Sequence, residues 1–308
     1  MNVVALTTKR LQSAMSGLQG FFAFAETARQ GSFAGAAREL GLSPSAVAKS
    51  VARLEQDLGL RLFHRTTRQV TLTGDGQELY ARCRRIVDEI EGIRAEAEGV
   101  RGQPSGTLRL NVPTTYGKRV VVPLLTQLAA RYPKLSLDVG FSDRWVDLVQ
   151  QGLDAVVRIG ELGDSTLVAR RLGEQSLVTC ANAAYLRKRG TPKAPSDLDQ
   201  HDCLVFRLPS SGRPRAWEFR DGRRTVEFVP PTRCVMNDGE AIVVAAVQSA
   251  GIAQVPDYMC AEALSAGRLT EVLAAYRPRP MPISLVYPSA RHVTPRLRAL
   301  IGALGPAR

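Results

Sequence analysis

LSPSAVAKSVARLE, residues 42–55, reads as a short helix with two unlike faces. Val47, Val51 and Leu54 fall at i, i+4 and i+7, a single stripe of the 3.6-residue period. The other side carries Ser45, Ala46, Lys49, Ser50 and Arg53, with no carboxylate before Glu55. An ordinary solvated face mixes acids with bases. Small, hydroxylated and cationic side chains instead suit a DNA groove about 12 Å wide, where donors reach base edges and phosphates.

Upstream, LQGFFAFAETAR (18–29) predicts a helix with Leu18, Phe21, Phe22, Ala25 and Ala28 on its inner face. After a GSF break, Phe33, Ala36, Ala37 and Leu40 form a second, shorter stripe. Gly41 ends that helix as a left-handed residue would, and Ser43-Pro44 starts the next as N-cap and first helical position. Two short helices joined through a glycine, the first rich in alanine, form the pattern of a helix-turn-helix. The DNA-facing set is then Ser43, Ser45, Ala46, Lys49, Ser50 and Arg53.

In RLFHRTTRQVTLT (61–73), residues 69–73 alternate polar and apolar as a half-buried strand does. Arg65 and Arg68 make this a wing that would lie along phosphates. Thr73 can cap the helix that follows, where Leu79, Cys83, Ile86, Ile90, Ile93, Ala97 and Val100 are spaced four and three by turns. That is a coiled-coil seam, roughly 40 Å long at about 1.5 Å per residue, and it predicts a dimer holding two DNA-reading units at fixed spacing. Gly102, Pro104, Ser105 and Gly106 mark a domain boundary.

From 106 onward strands and helices alternate: strands at 107–113, 135–141 and 154–160, with helices at 117–131 and 143–151. This βαβαβ series predicts a parallel sheet with ligands beyond the carboxyl ends of its strands, at Thr114-Thr115, Ser142-Asp143 and Arg158. Further strands are expected near 176–180, 203–207 and 226–229, a helix over 239–250, the strand GIAQVP, the strand ISLVYP (283–288) and a helix near 293–303. Asn237-Asp238-Gly239 stands at a helix N-terminus, which attracts anions.

The 308 residues carry 41 Lys+Arg against 29 Asp+Glu, a net charge of +12 that favours polyanionic partners. Residues 1–73 contribute +5, yet 106–308 contribute +9, so basicity is not confined to the DNA-facing unit. Five scattered cysteines and three histidines show no metal-ligand spacing, and scattered thiols suit a reducing interior. The start of the chain lacks the apolar core of a signal peptide. Nucleophile-elbow, phosphate-loop and zinc-protease motifs are missing from the sequence.

The stretch 31–80 closely resembles the LysR-type transcriptional regulators in its GSF-xx-AA-xx-L opening, LSPSAV helix start, LE-xx-LG-xx-LF-xRT-xR series and LT-xxG ending. The likeness continues through DAVVRIGELGDSTLVARRLG and GIAQVPDY, and is greatest to the subgroup that includes regulators of malate utilisation and meningococcal adhesion. The resemblance implies a multidomain fold: an α-helical winged helix-turn-helix domain over 18–73, a linker and dimerisation helix over 74–102, and a two-lobed α/β effector domain over 106–304 similar to periplasmic binding proteins. Lobe I would span about 106–174 and 273–304 and lobe II about 175–272; residues 1–17 have no family role to carry over and are expected to form a mobile tail.

It further implies a cytoplasmic, non-enzymatic homodimer or homotetramer on promoter double-stranded DNA, with no cofactor, metal or membrane partner. A small anionic or polar metabolite would modulate it from the interlobe cleft. Carried onto this chain, the cleft positions are Thr114, Thr115, Ser142, Asp143, Arg158, Phe206, Asn237 and Pro256. Ala48 and Lys49 stand where many members place a Ser and an Arg or Gln, so no operator sequence is implied.

Overall fold

In this computed structural model the described residues are 18–65, 70–97, 103–148, 150–163, 167–288 and 293–305. Three helices open them: α1 over 18–30, α2 (Phe33–Leu40) and α3 (Pro44–Leu58). Two serines start α2 and α3 in the same way. Ser32 Oγ accepts from Gly35 N and Ser43 Oγ from Ala46 N, each satisfying an otherwise orphan amide. Gly41 between them sits at φ 65°, where a Cβ would be strained.

Val47, Val51 and Leu54 are buried as their spacing predicts, in a core with Phe24, Ala36, Ala37, Leu62 and Phe63. Burial of each is worth about 1.5–3 kcal/mol. The α1 stripe meets expectation in part: Phe21, Ala25 and Ala28 are half-buried against this core. Gly20, Ala23, Phe24 and Thr27 face the core, whereas Leu18 and Phe22 are exposed. Thr27 can be buried because its hydroxyl donates to the Ala23 carbonyl at 2.7 Å. Phe24 wins the inner position by stacking on Phe63, with ring centroids 5.3 Å apart.

The wing is real: β1 (Phe63–Arg65) pairs antiparallel with β2 (Val70–Leu72). Glu55, the first acid of α3, turns back to accept from Leu62 N and Phe63 N at 2.9 and 3.3 Å, which anchors the base of the wing. Thr73 caps α4 (Gly74–Ala97), its Oγ1 accepting from Gly76 N at 3.0 Å. Gly76 lies so close to the Leu62 carbonyl oxygen that a Cβ would collide with it.

The regulatory unit, Gln103–Val146 with Asp154–Arg308, holds two mixed five-stranded sheets. Sheet one is formed by β3 (Gly106–Val112), β4 (Leu135–Phe141), β5 (Ala155–Ile159), β6 (Val168–Gln175) and a late strand, Met281–Tyr287, in the order β4-β3-β5-late strand-β6. β3 runs parallel to β4 and β5, as predicted, but the late strand pairs antiparallel with both β5 and β6. Helical residues 114–131 (α5), widened to a π turn over Gly117–Val121, cover this sheet together with the C-terminal helix Pro295–Ala303.

β7 (Leu177–Ala181) begins sheet two a single residue after β6 ends. The sheet adds β8 (Cys203–Phe206), then, past a hairpin of β9 (Trp217–Asp221) and β10 (Arg224–Phe228), β11 (Thr232–Met236), β12 (Ile252–Pro256) and β13 (Thr270–Glu271). Its helices are α6 (Ala183–Arg189), α7 (Gly239–Val247) and α8 (Asp257–Ser265). The late strand, Met281–Tyr287, is β14, and Pro295–Ala303 is α9.

Two expectations fail here. No helix forms over residues 143–148: Ser142 Oγ accepts from Arg144 N at 3.1 Å, a local bond that competes with a helical ladder, and Asp143 Oδ1 accepts from the distant Thr114 N at 3.0 Å. β6 was not expected at all, because as an edge strand with exposed Arg170 and Arg171 it lacks a clean alternation.

Gly76→Ala is expected to cost about 1–3 kcal/mol by overpacking against backbone, read as a lower denaturant midpoint at unchanged slope. Gly173→Ala, where a Cβ meets nothing within 4 Å, should leave the midpoint in place. Equal midpoints for the two variants would contradict the close approach at Gly76.

Candidate functional site

α3 turns outward the face that its inner stripe leaves over. Ser43, Ser45, Lys49 and Arg53 are exposed, and Ala46 and Ser50 are half-buried at its margin. Ser43 spends its hydroxyl on the cap, with Ser45 Oγ 3.1 Å away, so Ser45 is the hydroxyl at the helix head that points outward. The wing adds exposed His64 and Thr71, paired across the hairpin, which the sequence reading did not single out. The side chain of Arg65 and the whole of Arg68 lie outside the described residues.

Along α4 the expected seam divides. Leu79 and Cys83 pack into their own domain core, and burial pushes the Cys83 thiol up to about 11. A strict 3.5-residue repeat could not reveal that its first turns already have partners within the chain. Ile86 is the first seam residue left exposed, at 47%, and Ile90 is half-buried. The helix carries Ile93 and Ala97 in the same register, with their side chains outside the described residues, as is Val100.

Between the sheets of the regulatory unit lies a cavity of about 570 Å³. Thr115, Ser142, Asp143 and Arg158 line it, as the strand-end argument expects, and so do Phe206 and Pro256, which only the resemblance implied. Thr114 and Asn237 do not: Thr114 N is used by Asp143, and Asn237 is exposed while its neighbour Asp238 caps α7 through Ala241 N. Arg158 donates to the Val146 carbonyl at 2.6 Å and lies under the Trp145 ring at 4.8 Å. Trp145 is itself 73% exposed, an aromatic face at the rim.

The sequence reading missed Trp145, Gln175, Arg215 and Tyr258, all of which line the cavity. Arg215 could have been found by counting back from Trp217 and Phe219, both buried. The period of two that buries them puts Arg215 on the same side. Tyr258 Oη donates to Gln175 Oε1 at 3.1 Å, joining the end of β6 to α8. Burial pushes the Tyr258 phenol well above its ordinary value, so it stays a donor.

Polar contacts close one side of the cleft. From lobe I, Lys118 Nζ and Arg119 Nε reach Glu240 at 3.0 and 3.3 Å in the first turn of α7. The bond to Glu240 raises the Lys118 pKa. Tyr116 and Tyr258 meet edge to face beside them, centroids 5.4 Å apart. These are solvent-facing ion pairs and one ring contact, a latch that salt can loosen.

Along the chain a helix-turn-helix with a wing is followed by a two-lobed α/β unit with a polar cleft. Residues 18–77 match the bacterial regulatory helix-turn-helix protein, lysR family, and residues 101–307 the LysR substrate binding domain. The chain belongs to the LysR family of transcriptional regulators. It is similar to the HTH-type transcriptional activator AaeR of Escherichia coli K12, 33% identical over 294 residues that cover 94% of this chain and 93% of AaeR. DmlR of the same strain is 34% identical over 281 residues, 90% of each chain.

Among solved LysR-type regulators, CrgA from Neisseria meningitidis is 31% identical with TM-score 0.59 over 93% of this chain and 98% of CrgA. The Vibrio cholerae virulence activator AphB is 25% identical with TM-score 0.60 over the same shares. The chain is thus a LysR-type DNA-binding transcriptional regulator with an effector-binding domain. Among the described residues no helix is long and apolar enough to cross a membrane.

Glu240→Gln should loosen the latch. Hydrogen exchange in the full-length protein is expected to quicken over 114–121 and 239–247 while Cys203–Phe206 and Ile252–Pro256 keep their protection. Wild type in about 1 M salt, where the screening length falls to about 3 Å, should move the same way. Identical exchange in variant and wild type would show that these ion pairs do not hold the lobes.

Proposed function

We propose that this regulator binds promoter double-stranded DNA as a homodimer or homotetramer in the cytoplasm, and that a small polar or anionic metabolite in the interlobe cleft modulates that binding. The observation that carries the first part is the face of α3: from Ser43 to Arg53 its exposed positions hold two hydroxyls, two cations, Pro44 and Ala52, and no acid. Lys49 and Arg53 suit base edges or phosphates, and the arginines at 65 and 68 suit the backbone beside them. The exposed Ile86 and its followers on α4 support pairing of two chains.

The cleft supports binding rather than catalysis. Among the described residues its lining contains no His or Cys, and Asp143 is already an acceptor for a backbone amide. Residues of both sheets contribute, so a ligand that contacts both lobes favours the closed arrangement by its differential contacts. Thr115, Ser142, Arg158, Phe206 and Pro256 are its proposed contacts. Thr114 acts through Asp143, and Asn237 lies off the cavity lining.

Lys49→Ala and Arg53→Ala should each weaken binding to the DNA upstream of the regulated gene by about 1–3 kcal/mol where the side chain reads a base. A side chain that meets phosphate should instead lower the salt slope by about one unit when removed. Fluorescence anisotropy across a salt series separates the two outcomes. Unchanged affinity and slope in both variants would remove this face from the interface.

A further inference from the structure

The hairpin of β9 and β10 forms a two-stranded sheet of its own, outside both five-stranded sheets. Its register sets Arg224 against Asp221, Val226 against Phe219 and Phe228 against Trp217. Trp217 and Phe219 are buried in the core of their lobe, and Phe228 packs on that core. The far edge of β9 is already taken: Gln254 Oε1 accepts from Glu218 N at 3.2 Å, and Gln254 Nε2 donates to Glu218 O at 2.9 Å. Among the described residues β10 has no strand on its outer edge. Arg224, Thr225, Val226 and Glu227 are all exposed, and Val229 just beyond them is 74% exposed.

Parity fixes what this edge offers. The two-residue turn Gly222-Arg223 closes the hairpin on Asp221 and Arg224, so bonding to β9 falls on Arg224, Val226 and Phe228. The N–H and C=O groups of Thr225 and Glu227 then face outward. Natural edges are blunted by lysine, proline or a bulge. From 224 to 228 β10 has neither residue, and its register is unbroken.

Charge decides what can dock. From Glu218 to Phe228 the ribbon carries Arg220, Arg223 and Arg224 against Glu218, Asp221 and Glu227, so it has no net pull on a polyanion. Glu227 lies directly opposite Glu218, a like-charge pair that destabilises the ribbon by itself. Arg223, Arg224 and Glu227 have no ion-pair partner among the described residues. The edge therefore lacks a cation beside Glu227 and an acceptor beside Arg223.

A second copy supplies both. Laid antiparallel about a two-fold axis through Val226, it brings its Thr225 opposite Glu227, its Phe228 opposite Arg224 and its Val226 onto Val226. Thr225 and Glu227 then exchange main-chain bonds in both directions. Arg223 of each chain falls diagonal to Glu227 of the other, within reach of a long side chain. Arg224 meets an aromatic ring.

We propose that the free edge of β10 is a self-association surface, on which a second copy of this chain docks its own β10 to form one four-stranded sheet. The contact is independent of the α4 seam. One strand pair buries far less than the about 1,200–2,000 Å² of a stable interface. It therefore joins chains that are already concentrated, such as oligomers on neighbouring stretches of one DNA.

The test uses the full-length protein in analytical ultracentrifugation over a concentration series without DNA. Wild type is expected to gain mass with concentration. Glu227→Arg should need about 10-fold or more protein for the same gain, because it sets cation against cation on both sides of the axis. That variant also ends the like-charge contact with Glu218, so its weaker association is not a loss of fold. Arg223→Glu should weaken association as much, and combining the two exchanges should restore it. Val226→Cys should give disulfide-linked pairs of chains under diamide. Thr225→Cys and wild type, four of whose five cysteines are buried, should not.

Equal masses for wild type and Glu227→Arg at every concentration would overturn the pairing. So would a double exchange that restores nothing, or a Val226→Cys chain that stays single under diamide. If the masses agree while Arg223→Glu weakens binding to random-sequence duplex, the ribbon is a phosphate contact and the pairing falls.

Discussion

Three side chains decide which way α3 faces. Val47, Val51 and Leu54 are held between Phe24, the Ala36-Ala37 pair and Phe63, and rotating the helix by one residue would expose all three at a cost of several times about 1.5 kcal/mol. The small residues of α2 let the helices approach, and Ser43 and Gly41 set where α3 begins. Once that packing is fixed, Ser45, Lys49 and Arg53 have no direction left but outward. Glu55 is then close enough to β1 to bond its backbone. Recognition chemistry here follows from core packing.

Much of this was legible in the residues because caps and periods are local. The N-caps at Ser43 and Thr73, the left-handed Gly41 and the α3 stripe all lie within a few residues of what they govern. Errors arose where a distant partner decided. Phe22 and Phe24 are equally apolar, and the rings of Phe63 and Tyr80 select Phe24 for the core. Leu79 and Cys83 look like the start of a dimer seam until α1 to α3 are seen to cover them. The helix expected over 143–151 loses to side-chain bonds from Ser142 and Asp143, the second reaching a residue 29 positions away.

The cleft shows the same division. Strand ends pointed to Thr115, Ser142, Asp143 and Arg158 as lining, and to Thr114, which is not, because parallel strands place their carboxyl ends together. They could not name Arg215, which reaches the cavity from a connection ahead of β9, or Trp145, which projects from an irregular segment. The lobes touch through Tyr116, Lys118 and Arg119 on one side and Tyr258 and Glu240 on the other, contacts weak enough for a ligand to compete with or reinforce. Strong apolar packing stays inside each lobe, leaving the cleft between them free to respond.

We propose that the acid-free side of α3 lies in a DNA groove. It is tested most directly by an iron chelate that cuts DNA, attached through Ser45→Cys and mapped on the upstream region at base resolution. The account predicts cuts confined to a few base pairs within each half-site, and their loss when the chelate is moved to the buried side of the same helix. Uniform cutting along the duplex, or cuts only at its ends, would contradict it.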